Sequence, residues 1–426
     1  MHSAQADILA AREHLQRSGW IARRSEAFHH LPPPALEQWL GGPPNASTNA
    51  STNASTCAST CAAPPLTGAG WTLHPLDSAS AGGVDAHWLD AHDPAQRAQL
   101  FAGLPRPGQD EAAPFAWAHR ALCQQGLRIR IAARPGLEGS DTVWLALRHQ
   151  PRAQVEAPLL VLELDAGVRC MLLETHERDA QGCQHAITQN LHLHVQLAEG
   201  ARLEHVRIVH PGAADQLAQH VHARIGSRAH YAQALVAHAA SYHLQRNHLQ
   251  LEGAGANAHS AALLLAAAQA GASSTQIDQQ SYSRVEQRHA NSQVETLALA
   301  EGSARLVSNA HTRIAPGADE ASVRQRLSGI ALGGQPRLIL RPHLEILHDK
   351  VQAAHGATWG ALPQDALFYA SQRGLSPAHA RALVIHGMAR ALLERALPDS
   401  ALLQQWLDGP GLQQALQTVN PAEVAP

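Results

Sequence analysis

No apolar run in the 426 residues reaches about 18 residues, the length that a helix needs to cross a bilayer. The N-terminal stretch from Met1 to Trp20, MHSAQADILAAREHLQRSGW, is amphipathic and lacks the apolar core of a secretory signal. These two absences predict a cytoplasmic protein without a membrane partner.

Cysteine and charge are also scarce. The five cysteines are odd in number and form no clustered framework, which fits a reducing compartment without structural disulfides. Charged residues make up only 16% of the chain and the net charge is -3, so nothing favours nucleic acid as a partner. Hydrophobic residues make up 45%, which predicts a folded chain, and the length of 426 residues predicts more than one domain.

Common enzyme signatures are missing from the sequence. It contains no GxxxxGKS/T, no HExxH and no GxSxG, so hydrolysis of a nucleotide by a P-loop is not expected. The glycine-rich stretch GAGANA, Gly253 to Ala258, lies between two strand patterns and does not open a helix. It therefore indicates a turn.

Residues 1–41 form a predicted N-terminal helical region. Apolar residues recur there at spacings near three and four, and Pro32 to Pro34 are expected to stop the helix.

Residues 42–66 form a predicted flexible linker, because the repeated Asn-Ala-Ser-Thr tetrad from Asn45 to Thr60 cannot bury apolar surface. Cys57 and Cys61 are spaced like a metal-binding pair, but the simpler interpretation is two tetrads with cysteine in place of asparagine. Residues 67–126 form a mixed connecting region.

From residue 127 to residue 347 the periodicity changes to two. Apolar residues alternate with polar ones in Leu191–Leu197, Val221–Ile225 and Leu249–Leu251, and glycine-containing turns separate many such segments. No long helical stretch intervenes, so a doubly wound fold is not expected. A sandwich, a barrel and a β-solenoid all stay open, and the helical flanks would suit the caps of a solenoid.

Histidine is abundant, with 29 residues in the chain. Many occupy polar positions of the predicted strands, where aligned imidazoles can bind metal. The simpler interpretation is that they fill solvated positions. The histidines in question are His192, His194, His205, His220, His222 and His248.

Residues 348–426 form a predicted C-terminal helical region. Ser376 fits an N-cap and Pro377 the first helical position, and an apolar stripe follows. A second helix is expected from Ala401 to about Leu407. The stripe consists of Leu383, Val384, Met388, Ala391 and Leu392.

His355 has an unusual context, VQAAHGATWG, from Val351 to Gly360. Gly356 allows close backbone approach on one side, and Ala354 is small on the other. Because a neutral imidazole can ligate iron or zinc, His355 is a candidate ligand in a site that a partner chain completes.

Leu344 to Val384 resembles the C-terminal signature of the SufD family, the scaffold subunits of the SUF iron-sulfur cluster assembly complex. HGATxG, from His355 to Gly360, separates it from the paralogous SufB family, which carries glutamate where this chain has Gly356. Weaker similarity extends over most of the chain. The other matching residues are Arg23, Arg24, Glu26, Phe28, Arg246, Asp278, Asn291, Ser292, Asn309, Pro342, Leu344, Glu345, Ile346, Asp349, Val351, Phe368, Tyr369, Arg373 and Gly374.

The resemblance implies a right-handed parallel β-helix between helical N-terminal and C-terminal regions. It implies a non-catalytic scaffold that pairs with a SufB-like subunit, binds a SufC-like ATPase and passes a transient iron-sulfur cluster to apo-protein acceptors, with no cofactor expected in the isolated chain. His355 would belong to the cluster-assembly site at the SufB interface. The implied SufC-binding residues are Phe368, Tyr369, Arg373, Gly374, Leu383 and Met388.

Several positions depart from the family pattern. Ala353 stands where the family often has cysteine, which excludes a thiolate there, and Lys350, Trp359 and Val285 replace other family residues. Three alternatives stay open: a homodimer in the absence of partners, a β-solenoid enzyme acting on polysaccharide, and a stand-alone histidine-rich metal binder. The enzyme would require clustered acidic or basic residues, which the sequence does not display.

Overall fold

A computed structural model of the protein describes residues 3–22, 24–41, 66–68, 70–77, 83–108, 110–133, 142–178, 185–268 and 275–419. The linker predicted at 42–66 lies outside these residues except for Leu66, as do Cys57, Cys61 and Arg23. No helix in the described ranges is long and apolar enough to cross a membrane.

Helices lie at both ends of the described chain. Those on the N-terminal side are α1 (Ser3–Ser18), α2 (Leu36–Leu40), α3 (Pro94–Leu100) and α4 (Ala113–Leu122). Those on the C-terminal side are α5 (Gln364–Ser371), α6 (Pro377–Ala396), α7 (Ala401–Asp408) and α8 (Gly411–Gln417).

The first helix is shorter than its sequence pattern predicts. It ends at Ser18, where Gly19 adopts a φ of +77°, and not at the prolines. The last of those prolines, Pro34, accepts hydrogen bonds from the indoles of Trp20 and Trp39 through its carbonyl oxygen. At the other end of the chain, the predicted cap of α6 is confirmed, because the Ser376 hydroxyl accepts a hydrogen bond from the backbone N–H of His379.

Strands make up most of the rest of the described chain, and the first three precede α3. In chain order they are β1 (Leu66–Gly68), β2 (Trp71–Pro75), β3 (Val84–Asp90), β4 (Gln125–Ile131), β5 (Thr142–His149), β6 (Val155–Glu156), β7 (Leu159–Leu164), β8 (Arg169–Glu177), β9 (Thr188–Leu197), β10 (Arg202–His210), β11 (Gln216–Ile225), β12 (His230–His238), β13 (Tyr242–Leu251), β14 (Asn257–Ala267), β15 (Gln276–Val285), β16 (Asn291–Gly302), β17 (Arg305–Ile314), β18 (Ser322–Gly334), β19 (Arg337–Ile346) and β20 (Gln352–Gly360).

The strands form two sheets that wind as a solenoid. Sheet A has the order β1-β2-β5-β8-β10-β12-β14-β16-β18-β20, and sheet B has the order β19-β17-β15-β13-β11-β9-β7-β4-β3 with β6 beside β9. From β7 to β20, successive strands enter opposite sheets and pair in parallel with the strand one turn earlier, whereas β1, β2 and β3 pair antiparallel with their neighbours. The predicted parallel β-solenoid with helical flanks is therefore confirmed, and the sandwich and the barrel are excluded.

Apolar side chains from the two sheets fill much of the interior in stacked rows. One row in sheet B contains Leu197, Ile225, Leu251, Val285 and Ile314, each buried beside its register partner. Burial of each such side chain contributes about 1.5 to 3 kcal/mol. Val285, one of the departures from the family pattern, is thus part of the core.

A polar cluster also lies inside the solenoid. Glu174, Arg207 and His205 are fully buried, and the carboxylate of Glu174 accepts hydrogen bonds from both partners at 3.0 and 2.7 Å. Burial opposes ionisation of Glu174, but Arg207 and the adjacent His176 outweigh it and hold the pKa of the carboxyl well below its usual value. Alternation alone predicts an apolar inner face and misses this cluster.

The strand β20 corrects a second prediction. The sequence predicts helices from residue 348 onward, yet Gln352–Gly360 pairs in parallel with β18 as the last strand of sheet A. Its own alternation is weak because Ala353, Ala354 and Ala357 are all small. The segment is a strand because it pairs with the free edge of β18, which is a tertiary contact and not a local preference.

Candidate functional site

His355 lies at the open end of the solenoid. It is on β20, and its register partner on β18 is Gln325, a buried residue whose amide donates to the Thr312 hydroxyl on sheet B. Gln325 therefore faces the interior, and His355 continues the same row into the last turn, where its side chain is exposed. An imidazole in this position is available to a group that approaches the end of the solenoid.

The interior row below His355 is largely polar. It runs through Gln325, Val294, Ser260, Gln233 and His205 in consecutive turns of sheet A. Ser260 donates to Gln233, whose amide donates to the Tyr231 hydroxyl, which in turn lies 3.2 Å from His205. The sequence shows no sign of this row, since its members belong to separate turns.

An exposed apolar surface lies beside the open end. Trp359 is 81% exposed, Phe368 66%, Tyr369 60% and Leu383 57%. The Arg373 guanidinium carbon lies 3.3 Å from the ring centroid of Tyr369. Phe368 and Tyr369 belong to α5, Leu383 belongs to α6, which contacts α5, and Trp359 belongs to β20.

The two remaining residues predicted to bind SufC differ from this surface. Gly374 has a φ of +83° and terminates the turn after α5, a conformation that favours glycine. Met388 packs partly against the apolar cluster beneath α6 and is only half-buried. Gly374 therefore sets the backbone of the turn between α5 and α6, and Met388 packs beneath the exposed face of α6.

The prediction that the strand histidines fill solvated positions is wrong for three of them. His192, His205 and His220 are at most 4% exposed. His205 faces the interior, whereas His192 and His220 lie on the outer face of sheet B beneath α4. The outer face is covered because the N-terminal region folds back onto it, with the Asn190 amide donating to the Phe115 carbonyl.

Five histidines and a tyrosine form a row along the outer face of sheet B. Register pairing aligns them over successive turns, although they are far apart in the chain. Neighbouring ring centroids lie 4.7 Å apart for His194 and His222 and 4.6 Å apart for His311 and His343. The recurrence of histidine at intervals of one turn is the signal that sequence reasoning missed. The row contains His194, His222, His248, Tyr282, His311 and His343.

Burial keeps the covered imidazoles neutral. It lowers the pKa of His119 to about 3 and the pKa of His194 to about 4, and it holds the pKa of His192 well below its ordinary value. Neutral imidazole is the form that ligates metals. One ring nitrogen from each of His192, His194 and His222 lies within 4.8 Å of the other two, so these three residues form a candidate metal-binding group.

Residues 147–388 match the family described as "SUF system FeS cluster assembly, SufBD core domain". The chain belongs to the SufBD family. The match covers the solenoid from the end of β5 through β20 and most of α6, so it includes His355 and the exposed surface on α5 and α6.

Individual relatives of this SufBD family member support the same assignment over shorter segments. The "Iron-sulfur cluster assembly protein SufD" of Escherichia coli is 32% identical over 103 residues, 24% of each chain. A SufBD family protein of Synechocystis is 34% identical over 83 residues, 19% of this chain and 18% of its own. The chloroplastic protein ABCI7 of Arabidopsis thaliana is 27% identical over 108 residues, which are 25% of this chain and 23% of its own. The matched segments span less than a quarter of each relative.

Proposed function

We propose that this SufBD protein is a scaffold subunit of a SUF iron-sulfur assembly complex. It pairs with a SufB-like subunit, carries a SufC-like ATPase that supplies ATP hydrolysis, and passes a nascent cluster to apo-protein acceptors. The chain itself is non-catalytic, and the cluster is its cargo. The main support is the exposed His355 on the terminal strand of the solenoid, within the family match.

The open end has the properties of an interface. In the part of the chain that the structure describes, β19 and β20 end their sheets, so their outer edges present unpaired backbone donors and acceptors. Exposed apolar side chains lie at the same end, with Ile346 47% exposed and Leu347 43% exposed. An exposed edge of this length can pair with a strand of another chain. A SufB-like solenoid would present sheet edges of the same kind.

The α5 and α6 surface is a second and separate interface. Phe368, Tyr369 and Leu383 present apolar area to solvent, and Arg373 lies over Tyr369. Clustered aromatic and arginine side chains are typical of the residues that dominate binding energy at protein interfaces. We assign this surface to the SufC-like ATPase.

His355 is the candidate cluster ligand. Its imidazole reaches the open end without a neighbouring thiol, because Ala353 occupies the position two residues earlier. Sulfur ligands would have to come from the partner, so the assembly site is complete only when both subunits are present.

The test is co-expression of the chain with the SufB-like and SufC-like proteins of its organism, with purification through a tag on this chain. We expect a ternary complex whose iron and sulfide content after anaerobic reconstitution falls in His355→Ala. The matched control is His343→Ala, an exposed histidine on β19 at the same end. A chain that stays alone in the presence of both partners would contradict the scaffold, whereas an intact complex indifferent to His355→Ala would move the chemistry to the partner.

The polysaccharide-acting alternative finds no support on the outer face of sheet B. Glu163 pairs there with Arg128 and Glu252 pairs with Arg224, while Asp278 is only 1% exposed and accepts a hydrogen bond from the Gln280 amide. Carboxylates held in ion pairs lack the free proton-transfer capacity that glycoside cleavage requires.

A further inference from the structure

Two His-x-His pairs lie side by side on the outer face of sheet B. His192 and His194 flank Leu193 on β9, and His220 and His222 flank Val221 on β11. The parallel register puts His220 beside His192 and His222 beside His194. Because alternate residues of a strand point to one face, all four imidazoles share the outer side of the sheet.

Three of these imidazoles converge. One ring nitrogen from each of His192, His194 and His222 lies within 4.8 Å of the others. A tetrahedral zinc ion with zinc-nitrogen bonds of about 2.0 to 2.1 Å requires nitrogens about 3.4 Å apart. The three rings are stacked, with planes within 21° of one another, so binding requires that they turn about their side-chain bonds until their nitrogens face one ion.

Two ring nitrogens of this group lack a hydrogen-bond partner among the described residues. Nε2 of His192 and Nε2 of His222 are buried, and neither finds a hydrogen bond among the residues that the structure describes. The Nε2 atom of the adjacent His220 is also buried without a hydrogen-bond partner among the described residues. Buried polar atoms nearly always have a partner, so adjacent unpartnered nitrogens point to a ligand that binds there.

A cavity gives this group access to solvent. It has a volume of about 670 Å³ and lies between sheet B and the segment that precedes α4. His194 and His222 line it. Two of the arginines in its wall, Arg224 and Arg246, pair with Glu252 and Asp110, which reduces the repulsion of a cation.

We propose that His192, His194 and His222 bind a divalent transition metal ion, with zinc as the preferred occupant and the fourth coordination position open to the cavity. Neutral nitrogen ligands favour zinc, nickel or copper over magnesium or calcium, which prefer oxygen. Three protein ligands leave one position for a small ligand. The site is far from His355 in the fold, on another sheet, and it does not depend on the scaffold function.

The experiment is zinc binding to the untagged full chain by equilibrium dialysis against a competing chelator. We expect one tightly held equivalent, and we expect His194→Gln/His222→Gln to weaken its binding more than about 100-fold, since loss of outer-sphere partners alone costs 10 to 100-fold. The matched control is His311→Gln/His343→Gln, a pair from the same row without a third imidazole in the group. It should bind zinc as the wild type does.

Zinc K-edge X-ray absorption of the wild-type protein provides a test that does not depend on folding of the variants. Three imidazole ligands at about 2.0 to 2.1 Å are expected. A spectrum without imidazole scattering would overturn the proposal. So would equal zinc loss in both double variants, or unchanged binding in His194→Gln/His222→Gln, because either result would indicate scattered surface histidines.

Discussion

Arg207 and Glu174 form an ion pair inside the solenoid, with 3.0 Å between Nη2 and Oε1 and no solvent exposure of either side chain. The guanidinium also donates to the side-chain oxygens of Gln219 and Gln245 on the opposite sheet. The pair therefore ties sheet A to sheet B within a polar part of the interior.

Removal of Arg207 should destabilise the protein strongly. Arg207→Leu leaves Glu174 as a buried carboxylate without its guanidinium, which costs about 3 to 5 kcal/mol in the free energy of unfolding. The double variant Glu174→Leu/Arg207→Leu should recover much of that loss, because no isolated charge stays buried. Urea unfolding measures both. Equal destabilisation in the single and double variants would show that shape, and not charge, dominates at this site.

Glu295 should make stability depend on pH. It accepts hydrogen bonds from His259 on β14 and from Arg395 on α6, at 3.3 and 2.9 Å. Burial alone would raise the pKa of Glu295, but these contacts outweigh it and lower the pKa to about 2 from 4.5. The stabilisation is fully present above the unfolded value of 4.5 and disappears as the pH falls towards 2.

Glu295→Gln should accordingly lower the free energy of unfolding by about 1 to 3 kcal/mol at neutral pH, and the difference from wild type should narrow at about pH 3. Unfolding curves at the two pH values measure it. The control is Glu394→Gln, whose partner Arg390 lies one turn away on the same helix, and its effect should stay within about 0.5 kcal/mol. A pH-independent difference for Glu295→Gln would contradict the ion-pair explanation.

Gly253 should tolerate no side chain. An added Cβ would lie 2.0 Å from the backbone nitrogen of Ser227 in the preceding turn. Gly253→Ala must displace backbone, and we expect a loss of more than about 2 kcal/mol. Gly387→Ala on α6 is the matched control, because its Cβ meets nothing within 4 Å and alanine favours a helix by about 0.8 to 1.0 kcal/mol. Thermal unfolding should show shifts of opposite sign.

The α5 surface should supply binding energy for the SufC-like subunit. Phe368→Ala and Tyr369→Ala each remove an exposed ring, and a dominant interface aromatic contributes 2 kcal/mol or more, about 30-fold in affinity. Titration calorimetry with the purified ATPase measures this loss. Leu76→Ala, an exposed apolar residue at the N-terminal end, should have no effect. Unchanged affinity in both aromatic variants would place the ATPase elsewhere.

Local sequence signals were sufficient for part of the fold. Leu191–Leu197 alternates strictly and lies within β9, and Ser376 with Pro377 begins α6 as its capping chemistry requires. Local signals were insufficient for Gln352–Gly360, because its small residues have no strong preference for helix or strand. Pairing with β18 makes this segment a strand. The first helix ends at Gly19 and not at Pro32 to Pro34, because the positive φ of Gly19 terminates a helix just as the missing N–H of a proline does.

The sequence by itself determined which side chains alternate, where α6 begins and which family pattern surrounds His355. Only the tertiary structure decided what those side chains face. His192 looks like any polar strand residue until α4 covers it, and His194 and His222 become neighbours only through parallel pairing. The physical reason is that alternation assigns a residue to a face of its strand, whereas burial and convergence depend on which distant segment packs against that face.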